Sequence, residues 1–321
     1  MKNFILKILL IFFLIIVGQF LIYAAIYRVR PSFPELDLLR QYFKDEKDII
    51  YFGDSTIAAV DQNDKDKRAI ADFLQDEAAP LKVGRVDHGG YQLDLYLEFY
   101  EYILKNGYQP EFFIIPINMR SFSPAWDMRP GYQFEWEKNI LQKGRFGYYV
   151  LYRPLSVFSH NLKRITDEQF MSTPVFNGSV PVGSVREFER IDYAAKTREA
   201  ALQKTIYDYM FSLDLGHRKL QSLAEMVKGK LPETKLIFYI TPINYEKGEK
   251  YFPGEFKRRL ADNVVVIKKT LEGTNAAFLD LSTSLSEENF VGGEQAFYLD
   301  EHINEEGRRL VAYSLAQIVK K

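Results

Sequence analysis

A short apolar run that ends in a glycine turn, at residues 49–56, constrains the fold of this chain more than any other feature. Ile49-Ile50-Tyr51-Phe52 combines β-branched and aromatic residues over the length of a buried strand. Gly53-Asp54 supplies the sharp turn that ends such a strand. The sequence therefore places the Ser55 hydroxyl at the carboxyl end of a strand, where open α/β sheets bind their ligands. Gly-Asp-Ser also occurs in ordinary turns, so these three residues alone leave both interpretations open.

Similar apolar runs recur along the chain and alternate with helical patterns. The further predicted strands are 81–86, 112–115, 235–240 and 276–281, and the predicted helices include 65–75, 93–104, 193–230 with a break near Gly216, 256–271 and 305–319. Strands that alternate with helices indicate a parallel sheet with both faces covered. We therefore predict an α/β fold with a central parallel sheet of about five strands.

Residues 119–191 interrupt this alternation after the third strand. They contain both tryptophans, Trp126 and Trp136, a run of aromatic residues at 146–152, and a Pro-, Gly- and Ser-containing stretch at 172–184. Long interruptions of this kind are usually functional. We predict a large insertion that faces the substrate.

The N-terminal segment Phe4–Tyr27 is almost continuously apolar. A helix of about 24 residues is roughly 36 Å long, enough to cross a ~30 Å hydrocarbon layer. A cleavable signal peptide would have a shorter apolar region and small residues at its cleavage site. We therefore predict a transmembrane anchor at 1–30, a stalk at 31–47, and one domain at 48–321 that includes the insertion 119–191.

Composition excludes several classes of function. The chain has 321 residues, 47% hydrophobic residues and a formal net charge of −1, so it can bury a large core but has no basic excess for nucleic acid. It has no cysteine, which excludes disulfides and thiolate metal sites. His160 and His217 have no partners at ligand spacing, so we expect no metal and no cofactor.

Four motifs in the predicted order resemble the SGNH (GDSL) hydrolase superfamily. Gly53-Asp54-Ser55 matches its first block, Gly89-Gly90 after the second strand its second, and Asn118 after the third strand its third. Asp300-Glu301-His302, just before the last helix, matches the place of its final block. The resemblance covers about residues 48–320 and implies a flavodoxin-like three-layer sandwich.

The resemblance also implies roles for these residues in acyl transfer. Ser55 would be the nucleophile and His302 the base that activates it, since imidazole titrates near neutral pH. The backbone N–H of Ser55, that of Gly89 or Gly90, and the Asn118 amide would stabilise the oxyanion.

One position departs from the superfamily pattern. The usual aspartate lies three residues before the histidine, where this chain has Leu299. We favour Asp300 as the residue that orients His302; the alternatives are Glu301 or a Ser55–His302 dyad. Asp54 is a weaker option, because its expected role is to hold the turn.

Three further residues are candidate substrate contacts. His88 lies beside the oxyanion glycines, Arg120 follows the third strand, and Trp126 belongs to the insertion. A structural role is the alternative for His88, and a salt bridge under the insertion is the alternative for Arg120.

An N-terminal anchor followed by such a domain resembles the partners of membrane-bound O-acyltransferases. That resemblance implies a membrane protein with its domain outside the cytoplasm. Ser55 would accept an acyl group delivered across the membrane, which we expect to be acetyl, and pass it to a hydroxyl of a cell-envelope or exported polysaccharide. Basic residues flank both ends of the apolar run, so charge alone does not orient it. The alternatives are an O-acetyl esterase that uses water and a non-catalytic polysaccharide-binding scaffold.

Overall fold

The computed structural model describes residues 2–27, 33–152, 165–188, 198–229, 233–293, 299 and 301–320. The strands are β1 Ile49–Gly53, β2 Val83–Asp87, β3 Phe112–Ile117, β4 Pro174–Asn177, β5 Val180–Ser184, β6 Lys235–Ile240 and β7 Ala277–Asp280. The helices are α1 Lys2–Ile22, α2 Pro34–Lys44, α3 Ser55–Ala58, α4 Ile70–Glu77, α5 Leu93–Lys105, α6 Pro124–Asp127, α7 Glu135–Phe146, α8 Asp167–Met171, α9 Arg198–Tyr207, α10 Arg218–Lys228, α11 Tyr245–Tyr251, α12 Glu255–Leu271 and α13 Glu305–Val319.

In the described part of the chain, five strands form a parallel sheet in the order β2-β1-β3-β6-β7. Every residue of β1 and β3 is buried, as expected for parallel strands covered on both faces. The chain moves from β1 to β2 on one side and continues at β3 on the other. The carboxyl ends of β1 and β3 therefore form the switch point at which such sheets bind ligands.

Two helical layers cover the sheet, and the alternation of side chains along each strand divides the core between them. Ile50 and Phe52 pack into a cluster with α2, α5, α10 and α12. Ile49 and Tyr51 pack into a second cluster with α4 and α13. The predicted flavodoxin-like three-layer sandwich is therefore confirmed.

The insertion after β3 contains α6, α7, α8 and a separate antiparallel hairpin, β4–β5. Trp126 lies on α6 and Trp136 on α7. Through Trp126, α6 contacts Arg120, which lies just beyond the carboxyl end of β3.

The predicted helix 65–75 was wrong at its start, because α4 begins only at Ile70. The preceding segment binds α13 instead of forming helical hydrogen bonds. Buried Arg308 on α13 donates to the carbonyls of Asp66 and Arg68, each at 2.8 Å, and pairs with the Asp64 carboxylate at 2.8 Å.

The predicted break near Gly216 is wider than expected, because α9 ends at Tyr207 and α10 begins at Arg218. The Asn263 side chain accepts from the Leu213 N–H at 2.8 Å and donates to the Phe211 carbonyl at 3.0 Å. These bonds replace helical ones in the loop. Residues 193–197 and 230 of the predicted helix lie outside the described residues.

Asn3–Ala25 is long and apolar enough to cross a membrane, with a mean hydropathy of 2.8 in its most apolar window. A wider helical turn, Tyr23–Tyr27, continues α1. Within the segment predicted as a stalk, α2 buries Leu36 and Leu39 in the core. This helix is therefore packed against the domain.

Candidate active site

Ser55 and His302 meet at the carboxyl end of β1, although 247 residues separate them in the chain. Ser55 is the first residue of α3, and the distance between its Oγ and His302 Nε2 is 3.0 Å. His302 precedes α13, which is capped by the Asn304 side chain. A backbone hydrogen bond of 2.9 Å from the Val291 N–H to the His302 carbonyl holds the histidine loop in place. This is the geometry of a hydroxyl beside its base.

Asp54 organises the turn that carries Ser55. It is 5% exposed, and its Oδ1 accepts from the Thr56 N–H at 2.8 Å and from the Thr56 hydroxyl at 2.6 Å. Its Oδ2 accepts from Asn118 Nδ2 at 3.0 Å. Asp54 therefore caps α3 and positions Asn118 at the same time.

Asn118 follows β3 directly and faces the end of β1. Its Oδ1 accepts from the Arg120 N–H at 3.1 Å, which sets the orientation of the amide. An amide nitrogen carries two hydrogens. Asn118 can therefore donate one to Asp54 and the other to an oxyanion at Ser55.

Gly89 and Gly90 form the turn after β2. The turn is joined to β1 by a hydrogen bond of 3.3 Å from the His88 N–H to the Gly53 carbonyl, and Tyr91 N–H donates to the His88 carbonyl at 3.1 Å. The hydrogen bond between His88 and Gly53 places the glycine turn beside the turn that carries Ser55. The structure thus brings together Ser55, His302, Asn118 and the two glycines at the carboxyl ends of β1, β2 and β3, and their roles in catalysis stay a prediction.

The two glycines differ in how strictly they must be glycine. Gly90 has a φ of +85°, and a Cβ there would lie 2.6 Å from the Tyr132 ring. A Cβ at Gly89 would have no heavy atom within 4 Å among the described residues that surround it.

We therefore expect Gly90→Ala to lower both the melting temperature and the activity, since a side chain at this φ is strained and contacts Tyr132. Gly89→Ala, its matched control, should keep the wild-type melting temperature. Calorimetry and ester hydrolysis of the two purified variants check this. Equal melting temperatures would contradict the assignment of Gly90 to the strained position.

Glu301, one of the two candidate orienting carboxylates, is held by other partners. It is 3% exposed, one oxygen accepts from Arg120 Nη2, and the other accepts from the Tyr209 hydroxyl at 3.0 Å. Burial raises the pKa of Glu301, and the Arg120 guanidinium opposes this shift. Asp300, the other candidate, lies outside the described residues, so its role stays a prediction.

Arg120 takes the role of a salt bridge under the insertion, which was one of its two predicted roles. Its side chain is 13% exposed, and besides Glu301 it contacts Trp126, whose ring centroid lies 3.7 Å from its Cζ. Trp126 in turn donates to the Asp208 carboxylate at 2.9 Å and stacks on Tyr132 at 5.0 Å. Contact of Arg120 or Trp126 with a substrate stays a prediction.

His88 is exposed beside the glycine turn. Its ring lies 5.1 Å from Tyr91 and 6.0 Å from Phe134, and its Nδ1 is 3.0 Å from the Gly89 carbonyl. This position fits both a substrate contact and support of the turn.

Sequence reasoning missed Tyr132, Tyr209 and Asp208. Tyr132 covers Gly90, Tyr209 binds Glu301, and Asp208 binds Trp126. Their only local signal is that Tyr132 lies in an aromatic-rich insertion. Their contacts with the site come from distant parts of the chain.

The fold and the site together define the class: a three-layer α/β protein with a serine–histidine pair at the switch point of its sheet. No protein-family model matches the chain, and no curated protein gives a significant match.

Solved structures give weak similarities. The chain is similar to Axe2, an acetylxylan esterase from Geobacillus stearothermophilus, with 13% identity and a TM-score of 0.39 over 85% of this chain and 94% of that chain. For an Axe2 mutant described as an acetyl-xylooligosaccharide esterase, the identity is 12% and the TM-score 0.40, with the same coverage. At this level the similarity says nothing about activity, so the class rests on the sheet topology and on the contact between Ser55 and His302.

Proposed function

We propose that this protein is a membrane-anchored serine acyltransferase or esterase of the SGNH type that acts on O-acetyl groups of a cell-envelope polysaccharide. The observation that carries the proposal is the 3.0 Å contact between Ser55 Oγ and His302 Nε2, beside Asn118 and the Gly89-Gly90 turn. A hydroxyl, a base and a set of oxyanion donors at one strand end are the parts that acyl transfer requires.

The first half of the reaction acylates Ser55. His302 Nε2 accepts the Oγ proton as the oxygen attacks the ester carbonyl. Donors at Ser55 N–H, at Gly89 or Gly90 N–H, and at Asn118 Nδ2 stabilise the oxyanion; loss of one such donor typically costs about 2.7–4 kcal/mol. His302 then returns the proton to the leaving oxygen, which leaves an acetyl ester on Ser55.

The second half decides between the transferase and the esterase. His302 removes a proton from an acceptor hydroxyl, which attacks the acetyl-Ser55 carbonyl. The ester bond to Ser55 then breaks, and His302 returns the proton to Ser55 Oγ, which restores the free serine. A sugar hydroxyl as acceptor gives O-acetylation, and water gives hydrolysis. The transferase is favoured by the apolar helix α1, which would keep the domain at the membrane where a membrane-bound O-acyltransferase could supply the acyl group.

The alternative of a non-catalytic polysaccharide-binding scaffold is disfavoured by the site itself. The buried Asp54 carboxylate accepts a hydrogen bond from the Asn118 amide and so positions it, and His302 lies within hydrogen-bond distance of Ser55. A binding protein needs neither arrangement.

One experiment tests the reaction and its side of the membrane. Spheroplasts that carry the full chain receive p-nitrophenyl acetate and a polysaccharide too large to enter. We expect acetylated polysaccharide outside the cells, and none with Ser55→Ala. Release of acetate without acetylated polysaccharide, before and after lysis, would favour the esterase. Acetylation of the polysaccharide only after lysis would place the domain in the cytoplasm. Inactivity towards every ester tried would favour the scaffold.

A further inference from the structure

Residues 146–152, Phe-Gly-Tyr-Tyr-Val-Leu-Tyr, form an aromatic segment at the end of α7 that the proposed reaction does not use. Tyr149 and Val150 are buried, whereas Phe146 is 46% and Leu151 45% exposed. Two large apolar side chains therefore lie at the surface of a segment that is otherwise anchored in the core.

The aromatic segment contacts the apolar helix directly. The Phe146 ring lies 5.9 Å from the ring of Phe20 and 5.9 Å from that of Tyr23, and both pairs meet edge to face. Tyr149 lies 6.1 Å from Tyr23. These contacts join the globular domain to the last turns of the candidate membrane span.

The position of Phe20 and Tyr23 along the span sets the depth of the segment. Asn3–Ala25 contains 23 residues. At 1.5 Å per residue it is about 34 Å long, close to the ~30 Å hydrocarbon thickness, so its ends lie at the membrane interfaces. Phe20 and Tyr23 lie roughly 8 Å and 3 Å before the end at Ala25. A ring that contacts both lies at interfacial depth.

We propose that the aromatic segment is a membrane-binding surface of the globular domain, which contacts lipid beside α1. The inference rests on the proposed anchor and goes beyond the proposed reaction. Phe146 and Leu151 would contact the outer part of the acyl chains. Tyrosines are enriched at this depth because their rings are amphipathic, which suits Tyr148 and Tyr152. Lys143, exposed and 4.2 Å from the Tyr152 ring, adds a cation at the level of the lipid phosphates.

The surface is rigidly joined to the domain. Trp136 Nε1 donates to the Tyr149 hydroxyl at 2.9 Å, and Arg145 Nη2 donates to the Asp37 carboxylate on α2 at 2.7 Å. Lipid contact at the aromatic segment would therefore fix the orientation of the whole domain on the bilayer, and not only its distance from it.

The absence of cysteine allows a clean test on the full chain. Leu151→Cys is labelled with an environment-sensitive fluorophore, and the protein is reconstituted in phosphatidylcholine nanodiscs with or without spin-labelled lipid. Leu310→Cys is the matched control, because Leu310 is also a leucine, is also 45% exposed, and lies on α13 across the sheet. Leu10→Cys, in the middle of α1, reports whether the anchor is inserted.

We expect blue-shifted emission and strong quenching by spin-labelled lipid at Leu151→Cys and Leu10→Cys, and neither at Leu310→Cys. Quenching at Leu10→Cys alone would overturn the inference and leave the anchor standing. Quenching at neither of the two would overturn the anchor as well. Shielding at Leu151→Cys that needs two copies in one disc, without lipid quenching, would assign the surface to dimer formation and also overturn the inference. None of these outcomes depends on activity, so they are separate from any failure of the proposed reaction.

Discussion

Ser55→Ala is expected to reduce hydrolysis of a small acetyl ester to background, a loss of up to roughly 10⁶-fold in kcat by comparison with a serine protease that lacks its nucleophile. The substitution removes the Oγ that lies 3.0 Å from His302 Nε2. It leaves the Asp54 cap on Thr56 in place, so α3 and the melting temperature should be unchanged. Initial rates with p-nitrophenyl acetate and a thermal melt of both proteins measure the two effects.

Covalent labelling supplies the control for this prediction. A serine-directed fluorophosphonate should label the wild type at Ser55 and leave Ser55→Ala unlabelled, which peptide mass spectrometry can locate. Wild-type rates in the mutant, or a label on another serine, would refute Ser55 as the nucleophile.

The second large effect is expected at Asp300. Asp300→Asn keeps the size of the side chain but removes the carboxylate that would orient the imidazole and stabilise the imidazolium. The expected loss is up to about 10⁴-fold in kcat, as for the corresponding change in a serine triad. The melting temperature should barely change.

Glu301→Gln is the paired variant, and the structure predicts the opposite pattern for it. The change leaves the guanidinium of Arg120, 13% exposed, without its counter-ion. Removal of one partner from a buried pair costs about 3–5 kcal/mol of unfolding free energy. The melting temperature should therefore fall, while kcat of the folded protein stays within a small factor of the wild type.

The two variants together separate three arrangements of the site. A large loss of kcat in Glu301→Gln with a near-normal Asp300→Asn would assign the orienting role to Glu301. Near-normal kcat in both would leave a Ser55–His302 dyad. Urea unfolding beside the kinetics keeps losses of stability apart from losses of turnover.

The elements that were predicted well are those with a strong local signal. Both β1 and β3 are continuous apolar runs, because both faces of a parallel sheet are covered. The last helix was predicted at 305–319 and is observed at Glu305–Val319, where the Asn304 side chain accepts from the Gly307 N–H. Local chemistry was sufficient in each case.

The start of α4 was predicted wrongly because distant contacts outweigh local helix propensity there. The backbone carbonyls of Asp66 and Arg68 accept hydrogen bonds from the guanidinium of Arg308, which lies about 240 residues further along the chain. Nothing in the residues before Ile70 reveals a partner that far away.

The sequence by itself determined the order along the chain of the five strands that form the sheet, and it placed Ser55, Gly89-Gly90 and Asn118 at strand ends. Apolar runs and turn residues are local properties. Only the tertiary structure decided the partners: Asp54 holds Asn118, Arg120 and Tyr209 hold Glu301, and Tyr132 covers Gly90. A hydrogen bond or ion pair depends on the distance between two side chains in space. The pairing of β1 with β3 and the packing of distant segments on the sheet set that distance, and no periodicity along the chain encodes it.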